Sequence, residues 1–340
     1  MRTVRAAILC VLMAFLATGC AGGKTPEDAR TVYAQMEPEV DENLTVVGVS
    51  QVGAESDWRN AHTYSIRSSL TAENGFYLIF EDAQQKQENQ LKDVRDFILQ
   101  EVDYIILAPI VESGWDAVLQ EAKEENIPVI LVDRMAEVDE DLYTCWLGAD
   151  FEKEGETAAS WLADHLEAQG RGEDPIRIVT LQGTLGASAQ IGRTEGFANV
   201  MSAHPNWEML DMRSGDFTQA KGREVMEDFL KRFADIDVVV CENDNMAFGA
   251  VEAIKAAGRT CGPDGEITVL SFDAVRAAFD AMMAGDINAV FECNPLHGPK
   301  LLEILRTLEA GGEVEKIQYM EETYFDTDMD LESIVKTRAY

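Results

Sequence analysis

Carboxylates, guanidinium groups and aromatic rings recur just past short apolar runs, and their types suggest one kind of chemistry. In "VVGVSQVGAESDWRN" a β-branched run gives way to Glu55, Trp58 and Arg59. Asp133 and Arg134 end "IPVILVDR", Arg193 follows the Gly-rich turn of "LQGTLGASAQIGR", and Phe217 lies in "SGDFTQAKG". Asn243 and Asp244 end "VVVCENDN", and Asp273 ends the apolar part of "VLSFDAV". A carboxylate accepts from two neighbouring hydroxyls, a guanidinium donates to two in a planar fork, and an amide offers one group of each kind. Asp133, Arg134, Arg193, Asn243 and Asp273 together suit an uncharged polyol, while Trp58 and Phe217 can cover the C–H faces of its ring. Each residue also has a plainer role. Asp244 and Asp273 stand where an Asp caps the next helix, Arg193 alone reads as a surface ion pair, and Trp58 reads as a core residue at a helix-initiating turn. Recurrence at equivalent places along the chain favours a shared site.

Those places are the ends of strands. β-Rich runs at Thr45–Ser50, Tyr77–Phe80, Tyr104–Ala108, Val129–Asp133 and Tyr143–Leu147 alternate with helical patterns such as Leu91, Val94 and Ile98. A second series follows at Arg177–Leu181, Trp207–Met212, Val238–Cys241, Thr268–Phe272 and Ala289–Glu292. "YIILAP" and "IPVILVD" are apolar on successive residues, as strands are when both faces of a parallel sheet are covered. Repeated βα units predict an α/β fold of two doubly wound parallel-sheet lobes, and "LGADFEKEG" restarts the series. Ligands of open α/β sheets bind beyond the strand C-termini, so two such lobes enclose a ligand between them.

Composition narrows the classes. With 340 residues, 46% of them hydrophobic, and a net charge of −34, the chain is a globular protein with no basic surface for nucleic acid. "AAILCVLMAFLA" after Arg2 and Arg5 is an export signal of residues 1–19, and Ala17-Thr18-Gly19-Cys20 resembles a bacterial lipobox with Cys20 as the lipid anchor. Residues 20–43 are small, polar and acidic, a flexible tether. Cys145, Cys241, Cys261 and Cys293 match no zinc spacing, so no metal is expected, and disulfide and free-thiol states stay open. Glu55, Asp133 and Asp273 are the acids a glycosidase would need, but Arg neighbours favour ionised carboxylates over one with a raised pKa. No G-x-G-x-x-G follows the first strand and "GTLGAS" lacks the P-loop Lys, so neither an enzyme nor a cofactor is expected.

The set "SQVGAESDWR", "QQKQENQ", "APIVESGWDAVLQEAKEENIPVILVDR", "LQGTLGASAQIGR", "SGDFTQAKGREVM", "ENDNMAFGA" and "SFDAV" resembles the type I periplasmic sugar-binding proteins of ABC importers, of the ribose-binding and LacI-effector fold. The likeness is greatest to the galactofuranose-binding branch. It implies that Glu55, Trp58, Arg59, Asp133 and Arg134 face the sugar from the first lobe, and Arg193, Phe217, Asn243 and Asp273 from the second lobe and hinge. Gln51, Glu292 and Asn294 are additional candidates. It also implies three hinge crossings, near Ala149, Cys293-Asn294 and Tyr319–Phe325. The first lobe is then 44–148 plus 294–318 and the second 149–293 plus 319–340. Two departures stand out. Ribose binders carry a ligand-contacting Gln near Cys293, where Glu292 is a replacement only if the strand's alternation points it inward. Arg59 stands where a second aromatic plate would be, which disfavours ribose itself. The expected protein is an extracytoplasmic, lipid-anchored monomer that takes a monosaccharide to ABC permease subunits. The alternative is a sensor that presents the sugar to a membrane kinase or chemoreceptor.

Overall fold

The computed structural model describes residues 43–340, so the signal peptide, Cys20 and all of the tether but Asn43 lie outside the described residues. Strands β1 (Thr45–Gln51), β2 (Phe76–Asp82), β3 (Tyr104–Leu107), β4 (Val129–Val132), β5 (Cys145–Gly148) and β11 (Ile317–Tyr319) form one parallel sheet, in the order β11-β5-β4-β3-β1-β2. Helices α1 (Asp57–Ser69), α2 (Gln87–Leu99) and α3 (Asp116–Glu124) connect its first strands. Every residue of β4 is buried, as its unbroken apolar run requires for a strand covered on both faces.

The second sheet repeats this plan. It contains β6 (Ile176–Gln182), β7 (Trp207–Ser214), β8 (Val238–Cys241), β9 (Thr268–Asp273), β10 (Ala289–Glu292) and β12 (Tyr324–Asp326), in the order β12-β10-β9-β8-β6-β7. Its helices are α4 (Phe151–Ala168), α5 (Ser188–Met201), α6 (Gln219–Arg232), α7 (Asp244–Ala256) and α8 (Arg276–Met283). After β10 the chain returns to the first sheet through α9 (His297–Glu309), which packs on α1, and β11. It then crosses back to β12 and ends in α10 (Leu331–Val335), which packs on α8. The chain thus passes between the sheets after β5, after β10 and after β11.

The ten strands expected from sequence are present. Two are new: β11 and β12 are three residues each, too short to carry a periodic signal. The expected two parallel-sheet lobes are present, and the second sheet departs from parallel only at its edge, where β12 runs antiparallel to β10. The fifth strand starts at Cys145 rather than Tyr143, because Glu140–Leu142 form a single 3-10 turn just before it. Cys145, Cys241, Cys261 and Cys293 are all free and buried, which settles the question that spacing left open. Among the described residues, no helix is long and apolar enough to cross a membrane.

Candidate functional site

The first wall of the site is set by two loops at strand C-termini. After β1, Ser56 caps α1 by accepting from Arg59 N at 3.1 Å, which fixes Trp58 and Arg59 in the first turn. The Arg59 guanidinium donates from Nε to Glu55 Oε1 at 2.9 Å and from Nη1 to Gln51 Oε1 at 3.2 Å. Its Nη2 lies 2.7 Å from Asp133 Oδ2, out of line for a hydrogen bond. Asp133, just past β4, adopts a left-handed backbone (φ 60°), which Asp enters more readily than most residues and which its surroundings hold in place here. Those surroundings are the Leu147 carbonyl, which accepts from Asp133 N at 2.9 Å, and Trp146 Nε1, which donates to Asp133 O at 3.1 Å. Trp58 is buried, stacks on His62 with ring centroids 5.0 Å apart, and donates its indole N–H to Cys293 O at 2.7 Å.

The second wall has a similar plan. Arg193, in α5, donates from Nε to Glu154 Oε2 at 2.6 Å and from Nη1 to the Glu242 carbonyl, and its Nη2 reaches Asp273 Oδ1 at 3.5 Å. Phe217 also adopts a left-handed backbone (φ 59°), and Asn243 Nδ2 donates to its carbonyl at 3.1 Å. Its ring lies flat on Gly183, where any Cβ would come within 1.9 Å of it. Asn243, not Asp244, is the N-cap of α7, accepting from Met246 N at 2.9 Å. Asp244 instead holds the β9 loop, accepting from Ser271 Oγ at 2.5 Å and Val275 N at 2.8 Å. Asp273 caps no helix either, since Val275 is the N-cap of α8. The capping expectation for both acids is therefore corrected.

The walls meet. Met135 N donates to Ser188 Oγ at 2.9 Å, Glu112 N to Gly186 O at 2.8 Å, and Asp57 N to Asn245 Oδ1 at 3.0 Å. The Arg134 guanidinium, from the first wall, lies 5.1 Å from the centre of the Phe217 ring on the second. Between them is a cleft with about 280 Å³ of atom-free space, counting the part open to solvent. Its lining includes all nine principal residues named from sequence, together with Ser56, Ala189 and Cys293. A roomier cavity, about 970 Å³ counted in the same way, lies beside α5 and β7, but its walls are mainly apolar, with Phe197, Met201, Trp207 and Met209. Convergent polar groups, not volume, distinguish the cleft.

The three additional candidates do not line it. Gln51 has its amide committed to Arg59, Val52, His62 and Thr63. Glu292 is engaged elsewhere, binding Arg338 and accepting from Tyr340 Oη at 2.7 Å. Asn294 caps its own turn, accepting from Leu296 N at 3.0 Å. Two residues of the neighbourhood escaped sequence reasoning. Cys293 borders the cleft. Glu154, which holds Arg193, reads in sequence as one more acid in the first turn of an exposed helix.

Charge in the cleft is nearly balanced. Burial would lower the Arg59 and Arg193 pKa values, but the carboxylates beside them outweigh it and raise both. Arg134 lacks so close a partner, and burial with Arg59 nearby lowers it to about 10, still protonated at neutral pH. Burial pushes the Asp273 carboxyl well above the usual range in spite of Arg193. The expectation that an Arg neighbour keeps each carboxylate ionised fails at this residue, because a guanidinium 3.5 Å away does not repay full burial. Glu55 Oε2 is buried and has no hydrogen-bond partner in the protein. The arrangement offers acceptors and donors side by side in a buried, electrically near-neutral cleft, which suits binding of hydroxyls.

Residues 47–311 match the model of the periplasmic binding protein domain. The chain is 41% identical to the galactofuranose-binding protein YtfQ of Escherichia coli (strain K12) over 86% of its own length and 91% of that protein's. A solved structure from Mycobacterium smegmatis in complex with beta-D-fucofuranose is 42% identical with a TM-score of 0.81, covering 86% of this chain and 94% of that one. Another is the periplasmic component of the arabinose ABC transporter from Shewanella sp. ANA-3, bound to alpha and beta-L-arabinofuranose. It is 41% identical with a TM-score of 0.80, covering 87% and 96%. These relatives are sugar-binding transport proteins and not enzymes.

Proposed function

Because the chain belongs to the periplasmic binding protein domain family, we propose that it captures a monosaccharide in a furanose form and delivers it to an ABC importer. The observation that carries this reading is Glu55 Oε2, a buried acceptor without a donor, beside the buried guanidiniums of Arg59 and Arg134. A buried, unpaired acceptor costs about 1–3 kcal/mol, and a sugar hydroxyl removes that cost. Glu55 and Asp133 accept from hydroxyls on the first side, and Arg134, Arg193, Asn243 and Asp273 engage those on the other. Trp58 and Phe217 cover the C–H faces of the ring. Arg59 has most of its fork committed to Glu55, Gln51 and Asp133, so its chief work is to aim the carboxylates. Furanoses are favoured because three similar proteins are described as binding them.

The three crossings act as the hinge between lobes 44–148 plus 294–318 and 149–293 plus 319–340. Closure about them buries the sugar and gives the permease a shape to recognise. The protein works outside the cytoplasm as a monomer, held to the membrane by lipid on Cys20. A thermal-shift and calorimetric panel of pentoses and hexoses, including sugars locked as furanosides, tests the ligand class. Stabilisation by one or a few furanoses is the expected result, and a flat response across the panel sinks the proposal. Deleting the gene and following labelled sugar tests delivery. Unchanged uptake with a lost transcriptional response would make the protein a sensor instead. Replacing Cys20 by Ala should release the protein from the membrane fraction.

A further inference from the structure

A buried row of polar groups runs from Arg59, in the wall of the cleft, to the first residue of α9. Arg59 Nη1 and Val52 N donate to Gln51 Oε1 at 3.2 and 2.9 Å. Gln51 Nε2 lies 3.1 Å from both Thr63 Oγ1 and His62 Nδ1, and His62 Nε2 lies 3.1 Å from His297 Nδ1. Gln51, Arg59, His62 and His297 are each at most 2% exposed. The helices that carry the two rings are in close contact. Gly298 N donates to Ser65 Oγ at 3.0 Å, and a Cβ on Gly298 would come 2.0 Å from the Ser65 carbonyl oxygen. Trp58, which also lines the cleft, stacks on His62 and stands edge-on to His297, with ring centroids 5.0 and 6.2 Å away.

Donors and acceptors fix every proton in this row. A guanidinium and a backbone N–H can only donate, so the Gln51 oxygen is the atom that faces Arg59 and Val52. The Gln51 amide nitrogen then donates to His62 Nδ1, which is bare. A neutral imidazole carries one N–H, so His62 has its hydrogen on Nε2 and donates it to a bare His297 Nδ1. His297 therefore carries its own hydrogen on Nε2 as well. A further proton within the row has no acceptor. On His297 Nδ1 it meets the His62 N–H, and on His62 Nδ1 it meets the Gln51 N–H. Turning the Gln51 amide over would set its N–H groups against Arg59 and Val52.

We infer that His62 and His297, as neutral Nε2–H tautomers, are positioning residues of the sugar site: they hold Gln51 and its partner Arg59 and underlie the Trp58 plate, so that sugar capture and a further proton on the pair oppose one another. Neither ring lines the cleft, and both reach the ligand through Arg59 and Trp58, which do. The charged and titratable groups that face His62 are His297 and Arg59; those that face His297 are His62, Asp133 and Arg59. Burial lowers both rings, His62 well below its usual value and His297 to about 4 in spite of Asp133. The row is therefore intact at neutral pH, and a proton forced onto it as pH falls toward about 4 breaks the hold on Gln51 and so on Arg59.

The role rests on the sugar-binding reading, so the first measurement uses no sugar. Long-range proton–nitrogen correlation spectra of the unsubstituted chain should show His62 and His297 as Nε2–H tautomers that do not titrate between pH 7 and 5. A hydrogen on Nδ1 of either ring, or titration near the usual 6.5, overturns the inference. A sugar that binds at pH 7 should then move the His297 midpoint below its sugar-free value, and a midpoint that sugar leaves in place overturns it too. Gln51→Glu accepts both from Arg59 and from a protonated His62, so its His62 should be charged at pH 7 while sugar affinity stays within about threefold. His297→Phe keeps a ring beside Trp58 and removes the acceptor of His62. It should free the His62 tautomer and lower sugar affinity at pH 7 by about tenfold, and unchanged affinity counts against the role. If no sugar binds although both tautomers are as stated, the functional reading falls and the hydrogen-bonded row stands.

Discussion

Arg59 and Arg193 are held in similar ways on opposite walls of the cleft. Each is buried, each lies between two carboxylates, and each has its Nε hydrogen-bonded to a Glu. What differs is where the carboxylates with an oxygen left over stand. On the first wall they are Glu55 and Asp133, which both line the cleft; on the second it is Glu154, which does not. The same ion-pair design thus leaves free acceptors at the cleft in one lobe and behind it in the other. The buried titratable groups contrast as well. The first lobe buries His62 against His297, and burial pushes His297 down to about 4 and His62 well below its usual value. The second buries Glu242 and Asp244, and burial pushes both up to about 7.

The largest test of this comparison is Arg193→Ala. It strands Glu154 and Asp273 without their cation, and loss of one partner from a buried ion pair costs about 3–5 kcal/mol. The urea midpoint should drop accordingly, and sugar binding should vanish. An unchanged midpoint would mean that the second-wall group is not structural.

Acid should separate the lobes next. A histidine that folds neutral contributes stability that is full above its unfolded value of 6.5 and is lost as pH falls toward about 4, a matter of roughly 3 kcal/mol for His297. Acids raised to about 7 act oppositely: their contribution is full below their unfolded values and is lost as pH rises through about 7. Hydrogen exchange between pH 4 and 6.5 should therefore show the first lobe losing protection as pH falls while the second gains it. Parallel behaviour of the two lobes would break the contrast.

Arg134→Ala should separate binding from folding. Its guanidinium is the least compensated of the three, so its removal should lower sugar affinity by about 1.5–3 kcal/mol, at least tenfold, with a much smaller change in stability. Equal losses in calorimetry and in urea unfolding would show that Arg134 is chiefly structural. The smallest expected effect belongs to Trp58→Phe, which keeps an apolar plate but removes the N–H that reaches Cys293 O. About 0.5–1.5 kcal/mol is expected, shared between stability and affinity.

The ten strands and the two sheets were legible in the sequence because a strand is a local pattern, and the meeting of the nine residues at one cleft followed from their places at strand ends and from the family resemblance. A β-branched run, a Gly-containing turn and a polar residue at a strand end fall within one short window, as at "VVVCENDN". What escaped needed contacts between distant segments. Glu154 meets Arg193 across α4 and α5, and Glu322 meets Asn294 across the crossings. No spacing announces either contact. Glu292 shows the limit of alternation in a strand buried throughout, where both faces are covered and the inward side cannot be told from the pattern. Asp273 was misjudged for a different reason: the sequence showed a cation within reach but not the depth of burial that the cation must offset.

The last crossing also sets an order of assembly. The first sheet takes its edge strand β11 from residues 317–319, and the second takes β12 from residues 324–326, although every other strand of both sheets is complete by Glu292. A chain emerging from its N-terminus therefore presents two nearly finished sheets, each with an open edge, until its final segment arrives. The contacts of Glu292 with Arg338 and Tyr340 come later still. An open edge invites pairing with other chains, so the period before residue 317 emerges is when this protein is most exposed to misassembly. Truncation before β11 should hold it there.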